Sequence, residues 1–296
     1  MPCSSHHGTV ERTQPLLGTL VNVCCRGLAA EPAHCAIDAA FAAIAAVHRL
    51  MSFHEPTSDV SRLNRCAAFG PVEVDSQTLA VLSLALELAE ASGGAFDVSV
   101  AERLVAWKSL PRPPSAPTPD PAASWRDIEL LPDRRVRFHR PLWIDLGGIA
   151  KGYAVDRAVE RIVGDPSIRW IVNAGGDLRV AGDGEESVLL RTDRQSDEQA
   201  AVMELENASL ASSSGRGRSK RAAGETMGPH LDGRRRRAVG GRSFVSVVAR
   251  ECALADALTK VVLALRAGAA GVLDRYGATA FLQDPRGNWK TVGTRA

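Results

Sequence analysis

The sequence is poor in aromatic residues, and it lacks the short motifs that identify several large enzyme classes. Its six cysteines are scattered with no CxxC pair, which is typical of reduced thiols rather than of a disulfide framework. The chain has no GxSxG elbow, no HExxH helix and no GxxxxGKS or GxxxxGKT loop. These absences exclude α/β-hydrolase, zinc metalloprotease and P-loop chemistry.

A dominant sign of charge and long apolar runs are also missing. The net charge is +2, so the composition indicates neither a nucleic-acid partner nor an anionic membrane surface. No apolar run approaches the length of a membrane span, because charged residues and histidines interrupt the Ala-rich stretch 28–50. Residues 1–11 do not resemble a secretory signal, and Cys3 follows no apolar segment. We therefore expect a cytoplasmic protein without a membrane span, with a periplasmic location left open.

Hydrophobic residues make up 45% of the 296 residues, enough to bury a full core. Apolar spacing and capping residues predict helices at 31–50, 76–91, 149–163 and 252–266. Short strands are predicted at 17–23, 169–172, 177–181, 187–191, 201–205, 243–249 and 278–283. Because helices and short strands alternate without regular βαβ spacing, we predict an α+β fold with mixed or antiparallel sheets.

Two segments of unusual composition interrupt this pattern. Residues 111–121 are rich in proline, which predicts a stiff surface segment, either at a domain boundary or within one domain. Residues 214–242 are rich in arginine and glycine, which is typical of a solvated loop or of a flap that binds a phosphate-bearing ligand. We expect a single domain over residues 1–296 that contains both segments.

The most informative segment is DLGGIAKGYAVD, residues 145–156. It places Gly147 and Gly148 at a strand-to-helix turn, where backbone can approach a ligand and the first N–H groups of the helix suit phosphate oxygens. Lys151 can add positive charge to a diphosphate, and Asp145 can accept hydrogen bonds from a ring or sugar. A strand–turn–helix joint with a solvated lysine explains the same spacing equally well.

Other segments carry weaker signals. The turns at 92–97 and 173–177 each combine two glycines with an aspartate, and ordinary helix-ending or hairpin turns account for them as well. In the last helix, Asp256 and Lys260 share a face, which predicts an ion pair or, alternatively, an oxygen site for a hard cation. His230 lies beside a run of arginines, where a surface histidine is the common outcome.

Taken in order, these segments resemble the ApbE family of FAD:protein FMN transferases over most of the chain. The resemblance is specific in the string 145–156 and extends to PLLGT, MSFHEPTS, SRLN, GAFD, NAGGD, SSG and ADAL, which occupy residues 15–19, 51–58, 61–64, 94–97, 173–177, 213–215 and 255–258. It implies an ApbE-like fold related to the T-fold. It also implies a substrate, FAD, a magnesium ion, and an acceptor protein whose Thr or Ser hydroxyl receives FMN while AMP is released.

The resemblance also implies roles for particular residues. Lys151 and His230 are the expected catalytic residues, Lys151 as a charge on the phosphate oxygens and His230 as a base. The carbonyl of Gly148 and the carboxylate of Asp256 are the expected metal ligands. The expected flavin, adenine and cofactor contacts are Leu17, His54, Ala95, Phe96, Asp97, Asp145 and Lys151.

The chain departs from the family pattern at the implied metal site. Lys260 stands where the family usually has a threonine that binds the metal, and Thr259 lies one position earlier. One helix step rotates a side chain by about 100°, so Thr259 cannot substitute. Either Lys260 takes the place of the ion, or the ion binds elsewhere, or the chain binds and delivers FAD without transferring FMN. A pyrophosphatase that hydrolyses FAD is a further alternative.

Overall fold

The chain folds around an eight-stranded antiparallel sheet. A computed structural model describes residues 8–190, 201–214, 220–222, 225–239, 243–284 and 286–293. The strands are β1 (Thr9–Leu16), β2 (Thr19–Arg26), β3 (Val72–Glu73), β4 (Ile128–Leu131), β5 (Arg135–Phe138), β6 (Arg169–Ala174), β7 (Asp177–Ala181), β8 (Glu186–Leu190), β9 (Ala201–Leu205), β10 (Ser209–Ser214), β11 (Lys220–Ala222), β12 (Glu225–Met227), β13 (Leu231–Asp232), β14 (Arg237–Ala238), β15 (Phe244–Ala249), β16 (Thr279–Gln283) and β17 (Trp289–Val292).

The strand order of the large sheet is β1-β2-β6-β7-β10-β15-β16-β17. Every neighbouring pair in it is antiparallel. A smaller sheet has the order β3-β5-β4, and three separate hairpins pair β8 with β9, β11 with β12, and β13 with β14. The prediction of an α+β fold with antiparallel sheets is confirmed.

The helices are α1 (Ala30–Met51), α2 (Asp59–Cys66), α3 (Ser76–Ala91), α4 (Ala101–Ala106), α5 (Ala150–Ile162), α6 (Cys252–Leu265) and α7 (Ala270–Arg275). Four of them, α1, α5, α6 and α7, pack on the large sheet. Helix α5 contacts both α1 and α6, and α6 also packs on β10 and β15. The long helix α1 buries a stripe of residues three or four apart, as an amphipathic core helix does, namely Ala33, Ile37, Ala40, Ile44 and Val47.

Helix α1 is also, among the described residues, the one helix long and apolar enough by length and composition to cross a membrane. Its apolar stripe is used in packing, because the buried residues belong to the main hydrophobic core and the helix lies against α5. Length and composition alone therefore do not distinguish a span from a core helix here.

The opposite face of the sheet is covered locally by the β8–β9 hairpin. Leu178 and Leu210 from the sheet pack with Leu190 and Leu205 from the hairpin in a separate small cluster. The hairpin therefore packs on β7 and β10, two central strands of the sheet.

The predicted helices agree with the structure to within a few residues, and the predicted strand at 17–23 is wrong at its start. Leu16 pairs with Thr19, so Leu17 and Gly18 form a two-residue turn with φ of 54° and 70°. Such turns favour Asn or Gly, and a leucine gives no turn signal. Strand β1 was not predicted either, because its residues alternate between exposed and half-buried and so show no apolar face.

The two compositionally unusual segments both touch the body of the molecule. In the proline-rich segment, the Pro117 carbonyl accepts a hydrogen bond of 3.0 Å from the Trp143 indole. The main core cluster includes residues from both sides of this segment, from Val21 to Val292. In the basic segment the described residues form β11–β12 and β13–β14, and Arg216, Arg218 and Arg242 lie outside the described residues.

Candidate active site

A cleft of about 650 Å³ opens at the end of the sheet where β6 turns into β7. Its volume is in the range of small-molecule sites. One side is formed by residues 95–98 and the turn 145–148, and the other by β10 and the β8–β9 hairpin. Eight residues proposed from the sequence line it, namely Ala95, Phe96, Asp97, Asp145, Gly148, Lys151, His230 and Lys260.

The turn before helix α5 is fixed by hydrogen bonds to Asn64 and Val98. The Asn64 side chain makes paired hydrogen bonds with the backbone of Ile144, at 2.7 and 3.0 Å. The Asp145 N–H donates to the Val98 carbonyl at 2.9 Å. Burial raises the pKa of Asp145, although its carboxylate accepts the Gly147 N–H at 3.0 Å and His54 lies near enough to oppose the shift.

The expectation of free N–H groups at the start of α5 is largely wrong. The Gly147 N–H donates to Asp145, and the Ile149 and Ala150 N–H groups donate to the Leu146 carbonyl. The Gly152 N–H donates to the Asp256 carboxylate at 3.3 Å. These backbone donors already have acceptors within the protein. The positive groups that face a ligand here are therefore mainly the side chains of Lys151 and Lys260.

Helices α5 and α6 approach closely beside the cleft. A Cβ added at Gly152 would lie 2.2 Å from the Cys252 carbonyl oxygen, so only glycine allows this crossing. The Asp156 carboxylate accepts the N–H groups of Cys252 and Ala253 at 2.9 and 2.8 Å, and Arg179 donates to the same carboxylate at 2.7 Å. Asp156 thus caps α6 and fixes the helix that carries Asp256.

Two lysines and two aspartates meet where these elements converge. The Lys151 ammonium forms an ion pair with Asp177 and lies 3.4 Å from Oδ2 of Asp256. The Lys260 ammonium forms an ion pair with Oδ1 of Asp256 and donates to the Asp256 carbonyl at 2.9 Å. Both aspartates are buried, whereas both lysines reach the cleft. We call these residues, Lys151, Asp177, Asp256 and Lys260, the charged quartet.

The quartet shifts the pKa of its members in opposite directions. Burial raises the pKa of Asp177 to about 6, and the Asp256 carboxylate adds to the shift. Burial also opposes ionisation of Asp256, but Lys151 and Lys260 outweigh it and lower the pKa of that carboxyl. The pKa of Lys151 is raised because Asp256 and Asp177 outweigh the effect of its burial. Lys151 therefore stays protonated beside the cleft.

The residues around Asp256 do not fit a divalent cation. Lys260 holds one carboxylate oxygen, and the Gly152 N–H and Lys151 approach the other. No group of three or more His, Cys, Asp or Glu among the described residues is arranged to hold a metal. Mg²⁺ binds oxygen ligands in octahedral geometry, and here ammonium and amide donors take those oxygens. We assign no chemical step to a metal ion.

Thr259 does not replace the missing metal ligand. It is fully buried, and its hydroxyl bonds the Asp256 carbonyl and the Ser213 hydroxyl, each at 2.7 Å. The rotation of about 100° per residue along a helix directs Thr259 into the interface with β10. The expectation that Thr259 cannot take this role is confirmed.

His230 is held beside the quartet by a tightly packed turn. The Gly233 N–H donates to the Ala95 carbonyl at 3.1 Å, and a Cβ on Gly233 would lie 2.4 Å from the Gly94 carbonyl oxygen. Burial lowers the pKa of His230 to about 3, and the ammonium of Lys260 adds to the shift. The ring is therefore neutral at physiological pH.

The arginines of this turn are largely held by acidic partners. Arg234 makes hydrogen bonds of 2.9 and 2.7 Å to the buried Asp232 carboxylate. Arg236 lies 3.2 Å from Glu102 and donates to the Ala123 carbonyl. Arg234 therefore stabilises the turn internally, and Arg236 fixes it against the body of the protein, so neither serves as a free anion-binding group.

Leu17 and His54 are not among the residues that line the cleft. Leu17 lies in the β1–β2 turn, at the same end of the sheet as Gly175, whose Cβ position is 2.5 Å from the Thr19 hydroxyl. His54 is exposed near Asp145. Both flank the cleft, and their contacts with a ligand stay predictions.

Sequence reasoning missed the side chain that pairs with Lys151. Asp177 follows the Gly175–Gly176 turn directly, and both glycines have positive φ, at 67° and 101°. An acidic residue directly after a glycine hairpin was the available signal. The capping role of Asp156 was also missed, because it depends on packing between segments that are distant in sequence.

Sequence comparisons match this chain to the ApbE family and to proteins named FAD:protein FMN transferase. A family model described as "ApbE family" matches residues 17–282. A relative from Haemophilus influenzae named FAD:protein FMN transferase is 28% identical over 186 residues, covering 56% of this chain and 54% of the relative. One of the same name from Vibrio cholerae is 28% identical over 169 residues, covering 54% and 51%. These alignments span about half the length of each relative.

Solved structures show the same fold over nearly the whole chain. The structure of the ApbE protein from Thermotoga maritima matches with a TM-score of 0.83 and 24% identity, covering 96% of this chain and 97% of that one. The apo flavinyl transferase ApbE from Pseudomonas stutzeri matches with a TM-score of 0.80 and 18% identity, covering 99% and 96%.

Proposed function

This chain belongs to the ApbE family, and from that premise we propose that it is an FAD:protein FMN transferase. It binds FAD, transfers the FMN half to a Thr or Ser hydroxyl of an acceptor protein, and releases AMP. The observation that carries the proposal is the pair of lysines, Lys151 and Lys260, which line the cleft together with two glycine turns and pair with buried aspartates.

The cleft suits an extended dinucleotide with a charged centre. Lys151 and Lys260 line it, and we place the diphosphate beside them, because ammonium groups bind phosphate oxygens as point charges. The glycines at 147–148 and 175–176 leave room for close approach of the ligand. Apolar residues such as Phe96, Leu178 and Phe244 offer surfaces for the flavin and adenine rings. Asp97 and Asp145 supply acceptors for ring or sugar donors.

The reaction is a phosphoryl-group transfer. The acceptor oxygen attacks the flavin-side phosphorus, and the bond from that phosphorus to the bridging oxygen breaks. AMP leaves with the bridging oxygen, and the hydroxyl proton passes to a base. In such reactions positioning and charge stabilisation supply most of the catalysis, and Lys151 and Lys260 supply the positive charge here.

We propose His230 as that base. It lines the cleft near Lys260, and its ring is neutral because burial lowers its pKa to about 3. A neutral imidazole can accept a proton, whereas a protonated one cannot. Its low pKa makes it a weak base before the substrate binds, and the negative charge of the bound diphosphate raises its proton affinity.

The test is to incubate the protein with FAD and threonine-bearing acceptor peptides, with and without Mg²⁺, and to analyse the products by mass spectrometry. The proposal predicts FMN covalently attached to the threonine and an equal amount of AMP. Matched peptides with valine for threonine should stay unmodified. Free FMN with AMP would instead indicate hydrolysis, and tight FAD binding without either product would indicate a binding protein.

A further inference from the structure

The ammonium of Lys260 lies between Asp256 and the cleft, where a bound cation would otherwise lie. The Lys260 ammonium donates to the Asp256 carbonyl at 2.9 Å and pairs with Oδ1 of the same residue. Its side chain is only 13% exposed, and it lines the cleft together with Gly148. A positive charge is therefore built into helix α6 at this point.

The other oxygen of Asp256 is also engaged. Oδ2 accepts the Gly152 N–H at 3.3 Å and lies 3.4 Å from the Lys151 ammonium. Because α5 and α6 are in contact at Gly152, the Gly152 N–H cannot withdraw without separating the helices. A cation from solution would have to displace Lys260 to reach Asp256.

The charges in the quartet already balance. Lys151 and Lys260 carry two positive charges, and Asp177 and Asp256, when ionised, carry two negative ones. A dication added here would lie beside two ammonium groups in a buried region, where like charges repel more strongly than in water. A diphosphate entering the cleft would bring the negative charge that the lysines can still accept.

We propose that the Lys260 ammonium is the resident cation of this site and that FAD binds, and FMN is transferred, without a divalent metal ion. The inference rests on the proposed function and specifies how its charge is supplied. Lys260 acts on the phosphate oxygens directly, whereas Asp256 acts as a positioning residue that holds the ammonium at the edge of the cleft.

The wild-type protein provides the first test. FAD is titrated by calorimetry into protein freed of metal, once in EDTA and once in excess Mg²⁺. The proposal predicts dissociation constants that agree within about twofold. Binding that is about tenfold or more tighter in Mg²⁺ would overturn it. The absence of FAD binding in both buffers would overturn both this inference and the proposed function.

Two variants of Lys260 sharpen the result. Lys260→Met should weaken FAD binding in EDTA by about 10- to 100-fold, since a charge-assisted hydrogen bond is lost. Lys260→Thr should weaken FAD binding in EDTA by the same factor. In Mg²⁺ its FAD affinity should recover, because the threonine hydroxyl and the freed Asp256 carboxylate can then bind the ion. Lys290→Met, which removes an exposed lysine from β17, is the control and should bind FAD as the wild type does.

FAD affinity of Lys260→Met equal to that of the wild type would contradict the proposal. If either Lys260 variant fails to fold, as judged by circular dichroism, the wild-type titration decides alone. The acceptor assay separates the two proposals. FMN transfer that needs Mg²⁺ refutes the resident cation and leaves the transferase intact. Metal-independent FAD binding without transfer to any acceptor refutes the transferase, and with it the transfer step, but leaves Lys260 as the resident cation for FAD binding.

Discussion

At the scale of single residues, the site depends on lysines that are held by buried carboxylates. Asp177 and Asp256 are almost fully buried, so each needs a cationic partner to remain ionised. Lys151 contacts both of them and also reaches the cleft. The same side chain therefore contributes to stability and to the proposed ligand binding.

The first prediction concerns the removal of this partner. Lys151→Met should lower the free energy of unfolding by about 3 kcal/mol, because Asp177 would be left buried without its ion pair. Urea unfolding at pH 8 measures the effect. Lys290→Met, at an exposed position, should change stability by less than about 0.5 kcal/mol. Equal stabilities for the two variants would show that the quartet does not act as described.

The second prediction uses the lowered pKa of His230. Its ordinary value is 6.5 and its value in the fold is about 3, so between these pH values the unfolded chain binds a proton that the folded protein does not. Stability should therefore fall as the pH drops through this window, by up to about 1.4 kcal/mol per pH unit from this residue.

Denaturant unfolding of His230→Gln between pH 7 and pH 4 checks this sign. The variant should lose stability less steeply than the wild type as the pH falls. His34→Gln, at an exposed position on α1, should retain the wild-type slope. Parallel curves for wild type and His230→Gln would mean that His230 is not shielded from protons in the fold.

At the scale of secondary-structure elements, the crossing of α5 and α6 positions the quartet. Gly152 allows the contact, Asp156 caps α6, and the Gly152 N–H bonds Asp256. Gly152 and Asp156 lie within a turn and a half of Lys151 on α5. The string at residues 145–156 is therefore a helix-packing motif as well as part of the cleft wall.

The third prediction tests this crossing with two helix glycines. Gly152→Ala should destabilise the protein by about 1–3 kcal/mol, because overpacking against the Cys252 carbonyl outweighs the better helix propensity of alanine. Gly271→Ala in α7 is the control, since nothing lies within 4 Å of its Cβ position. It should be neutral or more stable by up to about 1 kcal/mol. Thermal unfolding of both variants measures the difference, and equal shifts would contradict the account.

The elements themselves were largely predictable from the sequence. Helix α3 illustrates why, because Asp75 accepts the Gln77 N–H at 2.8 Å as a helix cap and glycines follow the last turn. Strand β1 and the Leu17 turn were not predictable, because the strand has no apolar face and the turn uses a leucine at φ 54°. Capping residues, glycines and apolar periodicity therefore predict helices and strands only where these features are present in the sequence.

At the scale of the whole molecule, the sheet gathers segments that are far apart in sequence. The turns at 145–148 and 173–177, the loop of His230 and helix α6 meet at one end of it. Resemblance to a family named most of these residues in advance. It could not show that Lys151 pairs with Asp177, because that contact depends on how α5 and β7 pack. The ion pair of Asp256 with Lys260, by contrast, was predicted from their spacing within one helix and is confirmed.

The central claim is that the diphosphate of FAD lies between Lys151 and Lys260. A crystal structure of the protein with bound FAD tests it most directly. The account predicts phosphate oxygens within about 3 Å of both ammonium nitrogens, with the two ring systems on opposite sides along the cleft. A diphosphate remote from both lysines, or FAD bound outside the cleft, would contradict it.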